Sequence, residues 1–286
     1  MAVDGAEPEF PTSGINPHVY RWIEGLGDLS GRTVVDLPAG DGRASHRFAR
    51  AGADVRALDL FPEFMRAPGV TCQRAVMGRP LPLADGCADL VLCQEGIEHV
   101  GDQLALLAEF NRVLRPGGTL AITTPSQSHL RARLAWWSFE SEGVGRMPPS
   151  EVDSIWFDGA DDDRLYFGHL FLLGAQKLLT LTRLAGFELV ERRTSPTSPT
   201  ACLLLPFAWP ALALITLRAW LHDRNRFERV PADARRAIFA QHARLNLSPR
   251  TLLGKHLFWV LRKERDTEAQ RGYLKTLTRA EQHAPG

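Results

Sequence analysis

Short apolar runs recur along the first half of the chain: "GRTVVDL" at 31–37, "DVRALDL" at 54–60, "ADLVLCQ" at 88–94 and "GGTLAITTP" at 117–125. Each is bounded by glycine, proline or acidic residues, which predicts buried strands. Between them "RASHRFARAGA" at 43–53 and "QLALLAEFNRVLR" at 103–115 space their apolar residues three and four apart, which predicts helices. An earlier helix is predicted in "PHVYRWIEGLGDL", where Val19, Trp22, Ile23 and Leu26 share a face. Pro116, Gly117 and Gly118 are read as the turn from helix into strand.

Farther on, "HLFLLGAQKLLTLTRLAGFELVERR" predicts a helix ending at Ala185 and Gly186, then a strand over 187–193. A polar helix is expected near 231–246, and "GKHLFWVLRKE" at 254–264 reads as the last strand. Strands separated by helices of about ten residues imply right-handed crossovers and an α/β fold. The expected order is a flexible tail over 1–14, a core over 15–193, an apolar helical insertion over 194–253, a closing strand over 254–264 and a polar tail over 265–286. Within the core, 126–168 loses regularity; its aromatic residues (Trp136, Trp137, Phe139, Trp156, Phe157) and acidic "DGADDD" loop are expected over the sheet's carboxyl edge, where such sheets bind ligands.

The insertion holds the most apolar stretch, 201–221. Its length suits a membrane span, but Pro206 and Pro210 are expected to break it near its start, and a strand returning to the sheet at 254 forbids a single crossing. The expectation is peripheral or re-entrant membrane contact, with Arg218, Arg224, Arg226 and Arg229 at the headgroups. Burial against the domain or a partner subunit is the competing reading. Oligomeric state is left open.

Composition narrows the function. A formal net charge of +1 over 286 residues offers no broad basic footprint, so nucleic acid is not an expected partner. Cys72, Cys87, Cys93 and Cys202 form no CxxC or Cys/His spacing, so no metal is expected and the thiols suit a reducing cytoplasm. The acidic N-terminal stretch has no apolar signal region.

The chemistry concentrates in "VVDLPAGDGR" at 34–43. A strand ending in an acid, followed by a glycine turn opening a helix, aims backbone N–H groups and a positive helix end at a ligand. The dinucleotide register GxGxxG fails, because residues 38–43 read P-A-G-D-G-R; a nicotinamide-dependent oxidoreductase is therefore the weaker enzymatic rival. The stretch instead resembles the first motif of class I S-adenosylmethionine-dependent methyltransferases, with Asp36 as the acid, Gly40 and Gly42 as the later glycines, and Pro38 in place of the first. Asp59, and the run from "RPLPLADGCADLVLCQEGIEHV" to "LLAEFNRVLRPGGTLAITTP", extend the likeness over 15–125. It is closest to the methyltransferase type 11 branch found among bacterial glycan and lipid-linked enzymes.

The resemblance implies a Rossmann-like, doubly wound sheet of seven mainly parallel strands, the last antiparallel. It implies S-adenosyl-L-methionine as cofactor, bordered by Asp36, Pro38, Gly40, Gly42, Asp59, Leu60, Met77 and Gln94. Val76 stands where the family carries an acid for the adenine, leaving the Met77 backbone to replace that contact. If the methyl acceptor is a hydroxyl, His99 is the first choice of base and Glu95 the second catalytic candidate; His129 and His169 have weaker claims. The implied acceptor is an oxygen or nitrogen of a glycan, a lipid-linked intermediate or a small metabolite, at the cytoplasmic side of a membrane. A non-catalytic scaffold with the same fold is the rival from another class.

Overall fold

A computed structural model describes residues 10, 12–141, 143, 147–157, 165–223 and 230–278. In chain order the elements are α1 (Asn16–Glu24), β1 (Thr33–Asp36), α2 (Arg43–Arg50), β2 (Asp54–Asp59), β3 (Cys72–Arg74), β4 (Ala88–Gln94), α3 (Gln103–Val113) and β5 (Leu114–Pro125). They continue with α4 (Leu130–Phe139), α5 (Glu151–Ser154), β6 (Ile155–Phe157), β7 (Leu165–Phe167), α6 (Ala175–Leu184) and β8 (Phe187–Arg192). The chain closes with α7 (Pro199–Asp223), α8 (Ala232–Leu247), α9 (Pro249–Leu253), β9 (His256–Lys263) and α10 (Thr267–Thr278).

Seven strands form one sheet in the order β3-β2-β1-β4-β5-β9-β8. The pairs from β3 through β5 are parallel, and β9 runs antiparallel to both β5 and β8. The alternation along β1 explains why both faces are covered. Val34 packs with Trp22, Ile23 and Phe48 from α1 and α2, while Val35 packs with Phe110 and Leu178 from α3 and α6. The order reverses at β1, between β2 and β4, which opens a crevice at the carboxyl ends of these strands.

Several expectations need correcting. The Pro116, Gly117, Gly118 turn lies inside β5, which already pairs at Leu114 and shifts register between Ala88 and Leu90. The irregular 126–168 segment contains the ten-residue α4 and the β6-β7 pair, while its acidic loop lies outside the described residues. The expected polar tail forms α10, packed on α3 and α6. It is anchored by Asn111 Nδ2, which donates to the carbonyls of Ala185 and Arg265.

Pro206 and Pro210 do not break α7, which runs unbroken through 25 residues. Cys202, Pro206 and Pro210 stand four apart on an exposed side, so the carbonyls of Cys202 and Pro206, deprived of their helical donors, lie on the open face rather than in the packing. The opposite face, with Leu204, Leu205, Ala208 and Leu212, packs on Leu130, Ala201, Leu252 and Leu253. Trp209 Nε1 donates to the Leu247 carbonyl at 3.1 Å and Asn246 Nδ2 to Thr216 Oγ1 at 2.9 Å, tying α7 to α8. Arg224, Arg226 and Arg229 lie outside the described residues.

Candidate functional site

A cavity of about 1120 Å³ opens at the crevice. Nine of the ten residues singled out from the sequence as site members line it: Asp36, Pro38, Gly40, Asp59, Leu60, Met77, Gln94, Glu95 and His99; Gly42 does not, although its neighbours Asp41 and Arg43 do. The loop between β1 and α2 is held from both sides, since Leu37 N donates to the Leu92 carbonyl and Ala39 N to that of Leu58. Asp59, ending β2, accepts from Gly40 N at 2.7 Å and Phe61 N at 2.8 Å. Its carboxylate thus shapes the loop while lining the cavity.

The glycines are needed for two different reasons. Gly40 sits at φ +54° with open space where a Cβ would lie, so backbone conformation alone selects it. Gly42, at φ +84°, would place a Cβ 2.3 Å from Met65 Sδ and 2.8 Å from Ala67 Cβ. Pro38 follows a cis peptide bond and packs against Gly96, where an added Cβ would meet Pro38 Cδ at 2.4 Å. Asp41 is engaged within the loop, accepting from Arg43 Nε at 2.7 Å and Nη2 at 2.6 Å.

Asp36 is buried at the end of β1 and accepts from Ser45 Oγ at 2.6 Å through one oxygen. Its other oxygen, Oδ1, has no hydrogen-bond partner. Burial pushes the Asp36 carboxyl up to about 7, partly offset by the Ser45 bond. Gln94 repeats the pattern: Nε2 donates to Asn16 Oδ1 at 2.7 Å, while Oε1 is buried without a partner.

The opposite wall of the cavity is built around the ends of β4, β5 and β9. Glu95 adopts φ +50°; its Oε1 accepts from Thr123 Oγ1 at 2.8 Å and its Oε2 lies 3.2 Å from His256 Nε2. His99 sits on a 3₁₀ turn, Ile97–His99, rather than in a full helix. Its Nδ1 donates to the Phe167 carbonyl at 2.6 Å, which leaves the lone pair on Nε2. Burial lowers the His99 pKa, opposed by that carbonyl. Glu98 is fully buried, accepts from Thr124 Oγ1 at 2.8 Å, and is pushed well up by burial and the nearby Glu95. Glu98, His99 and His169 bring ligating atoms within 4.8 Å of one another, the described residues best placed to hold a cation. His129 instead spends Nδ1 on the Ser126 carbonyl at 2.7 Å and does not line the cavity.

Asn16, Thr123 and His256 were not singled out from the sequence. Asn16 lies on the N-terminal helix, and His256 is 161 positions from Glu95 (256 − 95). The signal for His256 was the strand order: once β9 pairs with β5, His256 stands opposite Pro125, beside the cavity.

The strand order, the glycine loop and the two strand-ending aspartates define the class I methyltransferase fold. Residues 35–122 match the family described as a methyltransferase domain. A ubiquinone biosynthesis O-methyltransferase of Xanthomonas oryzae pv. oryzae is 33% identical over 141 residues, covering 46% of this chain and 59% of that protein. One of Cupriavidus pinatubonensis is 32% identical over 123 residues, covering 40% and 49%. The chain thus spans less than two thirds of the length of the curated relatives it matches. The YcgJ protein of Bacillus subtilis superposes with a TM-score of 0.50 at 14% identity, covering 87% of this chain and 99% of that one, a likeness of fold.

The residues present fit S-adenosylmethionine. The cavity holds two buried oxygens without donors, Asp36 Oδ1 and Gln94 Oε1, which suit its ammonium and hydroxyl donors. Asp59 offers a carboxylate to ribose hydroxyls. Val76, Met77 and Gly78 form a wall without an acid for the adenine edge.

Proposed function

We propose that the protein is an S-adenosylmethionine-dependent O-methyltransferase whose acceptor presents a hydroxyl to the side of the cavity formed by Glu95, His99 and His256. The observation that carries this reading is the buried, donorless Asp36 Oδ1 beside the Asp59-held loop, in a cavity that also holds acceptor-side residues. The relatives named as O-methyltransferases support oxygen over nitrogen as the acceptor atom.

Bound S-adenosylmethionine supplies a methyl group on a sulfonium, open to in-line displacement. The protein's part is to orient the acceptor, exclude water and take the hydroxyl proton; orientation alone contributes about 7–11 kcal/mol in well-aligned systems. His99 is suited to the proton because its Nδ1–H is fixed by Phe167 and the lone pair is on Nε2. Its lowered pKa keeps the imidazole neutral at pH 7. Glu95, held by Thr123 and His256, positions the hydroxyl.

The acceptor is read as lipid-linked, with α7 in peripheral contact with a membrane. Its support is the exposure of Leu203 (72%), Phe207 (78%) and Leu214 (69%) along a helix of mean hydropathy 1.9. The free thiols of Cys72, Cys87, Cys93 and Cys202 suit its cytoplasmic side. Calorimetric titration with S-adenosylhomocysteine, then methyl transfer from labelled S-adenosylmethionine into lipid and aqueous extracts, tests the reading. Micromolar binding and a labelled lipid fraction are expected. Absence of binding at millimolar ligand would return the chain to a scaffold role.

A further inference from the structure

The end of the sheet that carries His256 is ringed by cations. His18 and Arg21 stand one turn apart on α1, and His18 Nδ1 reaches Thr194 Oγ1 at 3.4 Å, just past β8. The strand leading into His256 brings Lys255, whose carbonyl accepts from Ser126 N at 2.8 Å, next to the start of α4 and Arg131. Arg250, on α9, donates to the Arg192 carbonyl at 2.7 Å, so two guanidinium-bearing residues are held together. Among the described residues none of Arg21, Arg131, Arg192, Arg250 and Lys255 has a carboxylate partner; the Arg192 and Arg250 charges work against each other. Glu95, the cavity acid beside His256, is engaged by Thr123 and His256. Five cations without a carboxylate partner, on the segments around the His256 end of the sheet and outside the cavity lining itself, are a local feature in a chain whose net charge is only +1.

An apolar ridge begins where this collar ends. Leu130, the residue before Arg131, packs on Ala201 of α7 and Leu252 of α9. From there Leu203, Phe207, Pro210, Leu214, Leu217 and Leu221 repeat at three- and four-residue steps, one outward stripe with no charge in it. The neighbouring α4 adds Trp137, 83% exposed, and Phe139. A group of cations joined to an apolar ridge through Leu130 matches an amphiphile with an anionic head better than a neutral metabolite or a free glycan.

Resting on the methyltransferase reading above, we infer that the acceptor is an anionic lipid: its phosphate or carboxylate is held by Arg131, Arg250, Lys255 and Arg21, and its chain lies along the α4 and α7 ridge. Arg131, Arg250 and Lys255 are exposed and distant from the Asp36 and Asp59 loop, so their removal leaves the cofactor cavity intact.

The test is flotation of the full chain with vesicles of phosphatidylcholine alone and of phosphatidylcholine mixed with phosphatidylglycerol, alongside S-adenosylhomocysteine titration of the same samples. Wild-type protein is expected to float with the anionic vesicles, less so at high salt. The variant R131A/R250A/K255A is expected to bind them about a hundredfold more weakly, at about fivefold per cation lost, with unchanged S-adenosylhomocysteine affinity. Equal flotation with both vesicle types, or an unaffected triple variant, overturns the inference while leaving the methyltransferase reading standing. Protection of the protein from heat by inorganic phosphate, without vesicle binding, also overturns it by naming a free anion as the source. Loss of S-adenosylhomocysteine binding in the wild type marks failure of the underlying reading instead.

Discussion

The strands β1 to β5 and the helix α7 are both rich in large aliphatic residues, yet they meet water in opposite ways. Val34, Val35, Leu92 and Leu120 are fully buried, whereas Leu203 and Phe207 are 72% and 78% exposed. The difference lies in what surrounds them. A parallel sheet with helices on both faces leaves no side of a central strand open, so its apolar residues serve the fold. One face of α7 already packs on α4, α8 and α9, and its second apolar face adds nothing to that packing. Apolar surface in the sheet is therefore there for stability, and the outer stripe of α7 is surface that the packing leaves free for the proposed interaction.

Substitutions of similar size in the two regions separate these roles. Phe110 on α3 is fully buried in the core, and Phe110→Ala is expected to cost about 3–5 kcal/mol in chemical denaturation. A loss of under about 1 kcal/mol would mean the sheet is not the stabilising core. The next effect in size is at the strand edge, where polar groups of the sheet line the cavity. Asp59→Asn keeps the shape but removes the charge and leaves only one oxygen for Gly40 N and Phe61 N. S-adenosylhomocysteine should bind about tenfold to hundredfold more weakly, the range of a lost charged hydrogen bond. Unchanged calorimetric affinity would remove Asp59 from the site.

The same contrast decides what could be read from the sequence. The buried strands were legible because a run such as "ADLVLCQ" bounded by turn residues has few alternatives, and β4 occupies those seven residues, Ala88–Gln94. The cofactor loop was legible because Asp36, Gly40 and Gly42 lie within seven positions. The partners of Glu95 were not: Thr123 and His256 reach it only through strand order, and no local pattern carries a contact between positions 95 and 256. In α7 the local rule for proline failed because it prices a lost N–H as if the freed carbonyl were buried. At Cys202 and Pro206 it is on the open face. The closing helix α10 was hidden by its polar composition, which only docking on α3 and α6 makes useful.

A smaller effect follows from the buried acids of the sheet edge. Asp36 titrates at about 7 in the folded chain against about 3.9 when unfolded. An acid whose folded pKa is raised binds its proton more tightly in the folded state, so its contribution favours folding at low pH and is lost as pH rises through about 7. Glu98, also raised, acts in the same direction. His99 and His129, lowered by burial, withdraw stability as pH falls below their ordinary value of about 6.5. Melting temperature without ligand should therefore rise as pH falls from 8 toward 6.5. Each acid contributes at most about 1.4 kcal/mol per pH unit, and Asp36→Asn should flatten the slope. A slope unchanged by that substitution would show that Asp36 does not titrate there.

The smallest expected effect on stability is the sharpest test of the comparison. Phe207→Ser changes an aromatic residue to a hydroxyl, a change that would unfold many proteins if made at Phe110. On α7 the Phe207 ring is 78% exposed, so the folded state loses little contact and the unfolded chain loses the same hydration cost. The expected change is within about 0.5 kcal/mol. Flotation with anionic vesicles should nevertheless weaken, because Phe207 lies between Leu203 and Leu214 on the outward stripe. If Phe207→Ser instead destabilises the protein by more than about 2 kcal/mol, the stripe packs within the molecule in solution. The difference between the two regions would then be one of degree. If stability and flotation are both unchanged, the stripe is neither core nor contact, and the interaction assigned to it has to be sought on α4 at Trp136 and Trp137 alone.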